Sequence, residues 1–197
     1  MRYGLMALAT ALFLGAALSA QPAALVHVRI ETAVGVIEVE LDPARAPRTV
    51  ANFLRYVDDG FFDGASFYRT VTAVNQPDNA VKIAVIQGGV DGKKTAFDPI
   101  AIERTSDTGL KHLNGTISMA RNGPDTATTE FFVCVGDQPE LDFGGRRNPD
   151  GQGFAAFGRV TAGWDVITRI HESPVAAQRL TPPILIVRVV RAGTTKP

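Results

Sequence analysis

Chemistry in this chain starts from one arginine in an unusual setting. Arg69 ends the run Phe67-Tyr68-Arg69, and a second run, Val85-Ile86-Gln87-Gly88-Gly89, follows after a polar, proline-bearing loop at 70–84. Both runs have the aromatic and β-branched composition of strands, with glycine ending the second. A guanidinium presents five fixed donors and no acceptor, and it keeps its charge at any working pH. Inside an aromatic strand such a group either pairs with a carboxylate or faces a ligand.

Other chemistries find little support. His27, His112 and His171 are far apart, in no ligand-spaced pair, so they read as surface or strand residues. No metal is expected. There is no Gly-x-Ser-x-Gly elbow. Gly151-x-Gly153-x-x-Ala156 has the outline of a dinucleotide fingerprint, but a strand pattern follows it where a helix is required, so no nucleotide cofactor is expected. Cys134 is the single cysteine, which excludes an intramolecular disulfide and a multi-cysteine metal site.

The elements that must position Arg69 belong to one domain. With 197 residues, 45% of them hydrophobic, the chain can bury a sizeable core. Its formal net charge is zero, which argues against a nucleic-acid footprint or a polybasic membrane patch. Residues 1–20 read as a secretory signal peptide. Arg2 precedes an apolar run at 5–18, and small residues follow at Ser19 and Ala20, where cleavage is expected. The run is shorter than the roughly 20 residues that span a bilayer. The mature chain, 21–197, is therefore expected in the periplasm, or else secreted, with no membrane attachment after cleavage.

Within it, Val26, Val28 and Ile30 alternate with polar residues, and Ile37, Val39 and Leu41 do the same after Gly35, predicting a hairpin with one buried face. Pro47, Val50, Phe53, Leu54 and Val57 follow at helical spacing up to Gly60. Strands are predicted at 67–71, 81–87, 116–120, 130–135 and 155–160, and a second short helix at 163–170. Residues 184–190 are apolar throughout, as in a strand covered on both faces. Many short strands with two helices predict a mainly β fold, a closed antiparallel barrel with the helices plugging its ends. The insert at 72–79 reads as a surface excursion, with a role in selectivity as the alternative.

A third motif completes the pattern: Ser118-Met119-Ala120-Arg121-Asn122-Gly123-Pro124, continuing into Glu130-Phe131-Phe132-Val133. With Phe67-Tyr68-Arg69, Ile86-Gln87-Gly88-Gly89, the helix around Ala51-Asn52-Phe53 and Phe157-Gly158-Arg159-Val160, it resembles the cyclophilin family of peptidyl-prolyl isomerases. The resemblance covers roughly 26–190. It implies an eight-stranded barrel capped by two helices, acting as a monomer on proline-containing polypeptides through a groove on its outer wall. The exported bacterial members of the family are the subgroup it suggests.

Rotation about an X–Pro bond breaks no covalent bond, so no nucleophile, metal or cofactor is required. The family's chemistry is to hold the proline ring, fix one flank of the peptide and stabilise the twisted amide. By resemblance Arg69 is the catalytic donor, Phe132 and Leu141 line the proline pocket, and Gln87 holds the substrate backbone. Ala120 and Arg121 match residues whose backbone grips the peptide before the proline. Four positions depart from the pattern: Ala84 and Glu140 stand where aromatic or apolar wall residues are usual, Glu130 replaces a pocket glutamine, and Phe154 is the fourth. Phe154 stands at the pocket position usually held by His or Tyr. Glu130 is expected to pair with Arg69 and compete with substrate. The alternative function is a chaperone or adaptor that binds proline-containing segments with little turnover.

Overall fold

The computed structural model describes residues 24–90 and 97–193. The expected signal peptide, residues 1–20, lies outside the described residues. Among the described residues nine strands are formed: β1 Val26–Thr32, β2 Gly35–Leu41, β3 Ser66–Val71, β4 Val85–Gly89, β5 Thr116–Met119, β6 Phe131–Cys134, β7 Ala155–Ala162, the two-residue β8 Val175–Ala176, and β9 Arg179–Arg191. Eight of them run in the order β1-β2-β7-β5-β6-β4-β3-β9, and β1 pairs back onto β9. All pairings are antiparallel, and closure leaves the barrel without a free edge. β8 only extends β9 as a short hairpin. The expected eight-stranded barrel is what the chain adopts. Among the described residues no helix is long and apolar enough to cross a membrane.

Helix α1 spans Pro47–Asp58 and buries Val50, Phe53, Tyr56 and Val57. Proline opens it, and the Glu103 carboxylate accepts from the Arg48 and Thr49 backbone N–H groups and from Thr49 Oγ1. An anion from a distant loop thus caps the positive end of the helix. Helix α3, Trp164–His171, buries Val166, Ile167 and Ile170 in the same core. A third helix, α2, spans only Thr105–Thr108; four residues carry no apolar period, which is why the sequence does not announce it.

The barrel interior is dominated by rings. Phe53 of α1 lies 5.2–5.6 Å, centroid to centroid, from Phe62, Phe131 and Phe157. Phe131 in turn meets Phe67 edge-on at 5.7 Å. Burying each such side chain is worth ~1.5–3 kcal/mol, so these contacts hold the helix to the barrel. The filled interior leaves the outer wall as the place for a ligand.

Alternation along the strands separates two cores. On β6, Phe131 and Val133 enter the barrel, whereas Phe132 and Cys134 face outward into a second cluster with Val71, Ile83, Val85 and Leu141. On β3 the alternation is broken by a bulge: Phe67 pairs with Gly88 and Arg69 with Gln87, so Tyr68 is the extra residue. Strict alternation from the inward Phe67 would point Arg69 into the barrel. The inserted residue shifts the pleat by one and turns Arg69 outward, beside Tyr68.

Three expectations need correction. The strand predicted at 81–87 begins only at Val85, because side chains take the backbone groups ahead of it. Ile83 C=O accepts from Gln76 Nε2, and Ala84 N–H donates to Gln138 Oε1. The segment at 184–190 is not covered on both faces: Leu185 and Val187 of β9 are 46% and 48% exposed on the outer wall. His112 is neither a surface nor a strand residue; it is 1% exposed and lies in the loop before β5.

Candidate active site

Strands β3, β4 and β6 lie side by side, and the pairings Arg69–Gln87 and Gln87–Phe132 put these three residues in one row across them. Two strand spacings separate the backbones of Arg69 and Phe132, or ~10 Å. The row opens onto an outer groove of about 380 Å³. Of the residues expected at a site, Arg69, Gln87, Ala120, Arg121, Glu130, Phe132, Leu141 and Phe154 all line it.

The Arg69 guanidinium is held on two sides. Nη1 donates to Gln87 Oε1 at 2.7 Å, while Nε and Nη2 both donate to Gln178 Oε1, at 3.0 and 2.6 Å. Those bonds use three of the five N–H groups and leave two for a ligand. Partial burial lowers the pKa of the guanidinium from the ordinary arginine value. Gln178, on the β8–β9 hairpin, is itself tied to the 72–79 insert by donating to the Asn75 carbonyl.

The expected Glu130–Arg69 ion pair does not form: among the described residues Arg69 has no carboxylate partner. Glu130 Oε2 instead accepts from the Tyr68 hydroxyl at 2.6 Å, and Gln87 Nε2 donates to that hydroxyl at 2.7 Å. A hydrogen-bonded row therefore runs Glu130, Tyr68, Gln87, Arg69. Since the Tyr68 proton is given to the carboxylate, its oxygen is left to accept from the Gln87 NH₂, which directs the Gln87 oxygen at Arg69. Gly89 makes room for this arrangement. Its φ is +150°, and a Cβ there would fall 2.3 Å from Glu130 Oε2.

The apolar half of the groove is built around Phe132. Phe154 meets its ring edge-on at 5.3 Å and 87°, and Leu141 lies buried in the same cluster. The surface lost at Ala84 is partly supplied by Ile83 and Val85, which line the groove. Glu140 turns away and receives two hydrogen bonds from the side chain of Arg146 to Oε1, at 3.2 and 2.6 Å. Behind Phe132 stands His112, stacked on it at 5.9 Å; its ring nitrogens meet Asp142 Oδ1 at 2.8 Å and Ser118 Oγ at 2.9 Å. For Asp142, burial is the largest single effect and raises the pKa, but the hydrogen bonds from His112 together with the charges of His112 and Lys111 outweigh it and the net shift is downward. The order Asp–His–Ser has the look of a nucleophile relay. Ser118 is completely buried, however, so no substrate reaches it, and the row braces the pocket floor.

Arg121 plays a different part from its backbone alone. Its side chain, 2% exposed, grips Asp150 through Nη1 and Nη2 at 2.7 and 2.9 Å, donates from Nε to the Gly153 carbonyl, and lies 5.1 Å from the Phe154 ring centroid. It thereby fixes the 142–153 loop and the aromatic wall. Gly153, with φ +65°, lets this loop close on itself, since a Cβ there would meet the Asp142 backbone carbon at 2.5 Å. Among the described residues no group of three or more His, Cys, Asp or Glu is placed to hold a metal.

Several contributors carry no signal in the sequence: Tyr68 as a bonded partner, Gln178, Gln76 and Arg147. Gln178 lies 109 residues from Arg69, and no local period marks it. The insert is more than a surface excursion. Gln76 is 1% exposed, bonds Thr72 O and Ile83 O, and accepts from Arg147 at 2.9 Å.

An outer-wall groove with an aromatic pocket, on a filled eight-stranded barrel, defines a peptide-binding class of β-barrel. Residues 27–191 match the family described as "Cyclophilin type peptidyl-prolyl cis-trans isomerase/CLD", and the chain belongs to that family of isomerases. It is 38% identical over 150 residues to peptidyl-prolyl cis-trans isomerase A of Dickeya dadantii, covering 74% of this chain and 71% of that one. It is 40% identical over 157 residues to peptidyl-prolyl cis-trans isomerase cyp18 of Streptomyces antibioticus, covering 77% and 87%. A crystal structure of a cyclophilin-type isomerase from Cryptosporidium parvum superposes with a TM-score of 0.70 at 22% identity, covering 88% of this chain and 100% of that one, which supports the fold.

The Arg121–Asp150 clamp gives a pH prediction. The Arg121 hydrogen bonds hold the Asp150 carboxyl at about 2, below its ordinary 3.8. A group depressed on folding stabilises the fold above its unfolded pKa and loses that contribution as pH falls through the folded value. Acid unfolding followed from pH 5 to pH 2 is expected to show a shallower stability loss in Asp150→Asn than in the parent chain. Equal slopes in that window would contradict the clamp.

Proposed function

We propose that this isomerase accelerates X–Pro rotation by aiming the Arg69 guanidinium at the prolyl nitrogen as the amide twists. Amide resonance sets a barrier of ~18–20 kcal/mol. As conjugation is lost the nitrogen pyramidalises and gains a lone pair, which a fixed charged donor meets only in the rotating state. That is differential binding of the transition state. The observation that carries the reading is the outward Arg69 guanidinium, clamped by Gln87 and Gln178 yet with two N–H groups left over, in one row with Phe132.

The other lining residues take supporting roles in this reading. The ring of the substrate proline enters between Phe132, Leu141 and Phe154. The residue before it lies along the Ala120–Arg121 backbone, and Gln87 holds the adjoining peptide group. One preorganised donor is worth roughly 2.7–4 kcal/mol, so the pocket and the gripped backbone must supply the rest of the acceleration.

We further propose that the chain is exported and serves proline-limited folding outside the cytoplasm, as an exported bacterial cyclophilin. The charged start, short apolar run and small residues at Ser19 and Ala20 support it. N-terminal sequencing of protein recovered from the periplasmic fraction should begin near residue 20 or 21; recovery of the intact N-terminus from the cytoplasm alone would contradict export. For the catalytic reading, Arg69→Ala should lower kcat/KM on an Ala-Pro peptide in a chymotrypsin-coupled assay by about 10²–10³-fold, the usual effect of one preorganised donor. A fall of less than threefold would remove Arg69 from the mechanism.

A further inference from the structure

A second guanidinium lines the same groove. Arg147, on the 142–153 loop, is half-buried and borders the cavity together with Arg69. Its Nη1 donates to Gln76 Oε1 at 2.9 Å and to the Val81 carbonyl at 2.7 Å. Both acceptors are neutral, and both belong to the β3–β4 connection. Those two bonds use the two hydrogens of Nη1; among the described residues nothing accepts from Nε or Nη2, and no carboxylate pairs with this side chain. Burial and the neighbouring positive charge of Arg69 lower its pKa from the ordinary arginine value. Two arginines without anionic partners, with Arg69 close enough to disfavour the charge on Arg147, leave this end of the groove short of negative charge.

The groove is also polarised along its length. Antiparallel pairing places Val85 opposite Cys134 at one end and Gly88 opposite Phe131 at the other. Glu130 precedes Phe131, and its carbonyl accepts from Ala120 N–H, so Glu130, Ala120 and Arg121 share the Gly88 end. Arg147 is pinned to residues 76 and 81, beyond the Val85 end. Glu130, the one carboxylate among the described residues that line the cavity, therefore sits at the end away from Arg147. The acids near it in sequence do not neutralise Arg147 either: Glu140 is taken by Arg146, Asp142 by His112 and Lys111, and Asp150 by Arg121, and among the described residues Asp78 of the insert makes no ion pair with it.

We infer that Arg147 is a specificity-determining residue that selects substrates with an acidic side chain, Asp or Glu, in the one or two positions after the proline. The direction rests on the reading under Proposed function, in which the residue before proline lies along Ala120 and Arg121, so that the chain leaves the Phe132 pocket past Ile83 toward Arg147. A carboxylate there receives the three unused donors of Nε and Nη2 in a fork geometry suited to it.

The test is isomerisation followed by NMR exchange on three peptides that differ only in having Glu, Gln or Lys after an Ala-Pro pair. This readout avoids a protease with its own preference for that position. For the wild-type chain at low salt, the Glu peptide should show kcat/KM about fivefold above the Lys peptide, the scale of a solvent-accessible ion pair, with Gln between them. The ratio should collapse toward one at ~0.5 M salt and in Arg147→Gln. It should survive in Arg147→Lys, which keeps the charge; this variant separates loss of charge from loosening of the loop that Arg147 pins. Equal rates on the three peptides, or a Glu preference that persists in Arg147→Gln, would overturn the inference while leaving the isomerase reading intact. No turnover of the Gln peptide would instead overturn the isomerase reading, and this inference with it.

Discussion

A single extra residue in β3 sets the character of this molecule. The bulge at Tyr68 places two consecutive side chains on the outer wall, so a cation that the pleat would otherwise direct into an aromatic core faces water and ligand. Burying an unpaired guanidinium among Phe53, Phe62, Phe67 and Phe131 would be far more unfavourable than a bulge. The polar row beside Arg69 follows from that displacement. The Tyr68 hydroxyl reaches Glu130 and Gln87, Gln87 reaches Arg69, and Gln178 closes the fork from the far hairpin.

The site is rigid for reasons spread over the whole chain. Phe132 is backed by His112, which Asp142 and Ser118 hold on either side. Phe154 is backed by Arg121, which Asp150 holds. Arg69 is held through Gln178 by Asn75, and Arg147 by Gln76 and Val81. Phe132, Phe154, Arg69 and Arg147 thus each have a hydrogen-bonded neighbour behind them. The proposed mechanism, in which one charged donor is aimed at a rotating bond, needs this, because a donor free to follow the ground state would gain nothing in the transition state.

How far the sequence reveals this differs by level. Period-two alternation at 26–31 and 37–41 and the helical spacing of Val50, Phe53, Leu54 and Val57 are local, and they identify elements that exist. The motifs around Arg69, Gln87 and Phe132 carry the groove, since residues that share a row in the sheet lie in short recognisable runs. The exposed face of β9 was misread because an apolar run does not say which sheet face is covered. The Glu130–Arg69 pair was misread because opposite charges in one pocket suggest contact, whereas Tyr68 and Gln87 stand between them. Gln178, Gln76 and Arg147 are polar residues in loops; their contacts span 109, 7 and 71 residues and leave no periodic trace.

The central claim is that Arg69 acts on the twisted amide and not on the resting peptide. The most direct measurement separates the two: NMR line-shape and exchange analysis of an Ala-Pro peptide bound to Arg69→Lys, giving affinity and on-enzyme interconversion rate independently. If the account holds, the dissociation constants of the cis and trans forms stay within about threefold of the parent while the bound-state interconversion slows by about 10²-fold, since a flexible point charge replaces a clamped fork. Loss of affinity with an unchanged interconversion rate would contradict it.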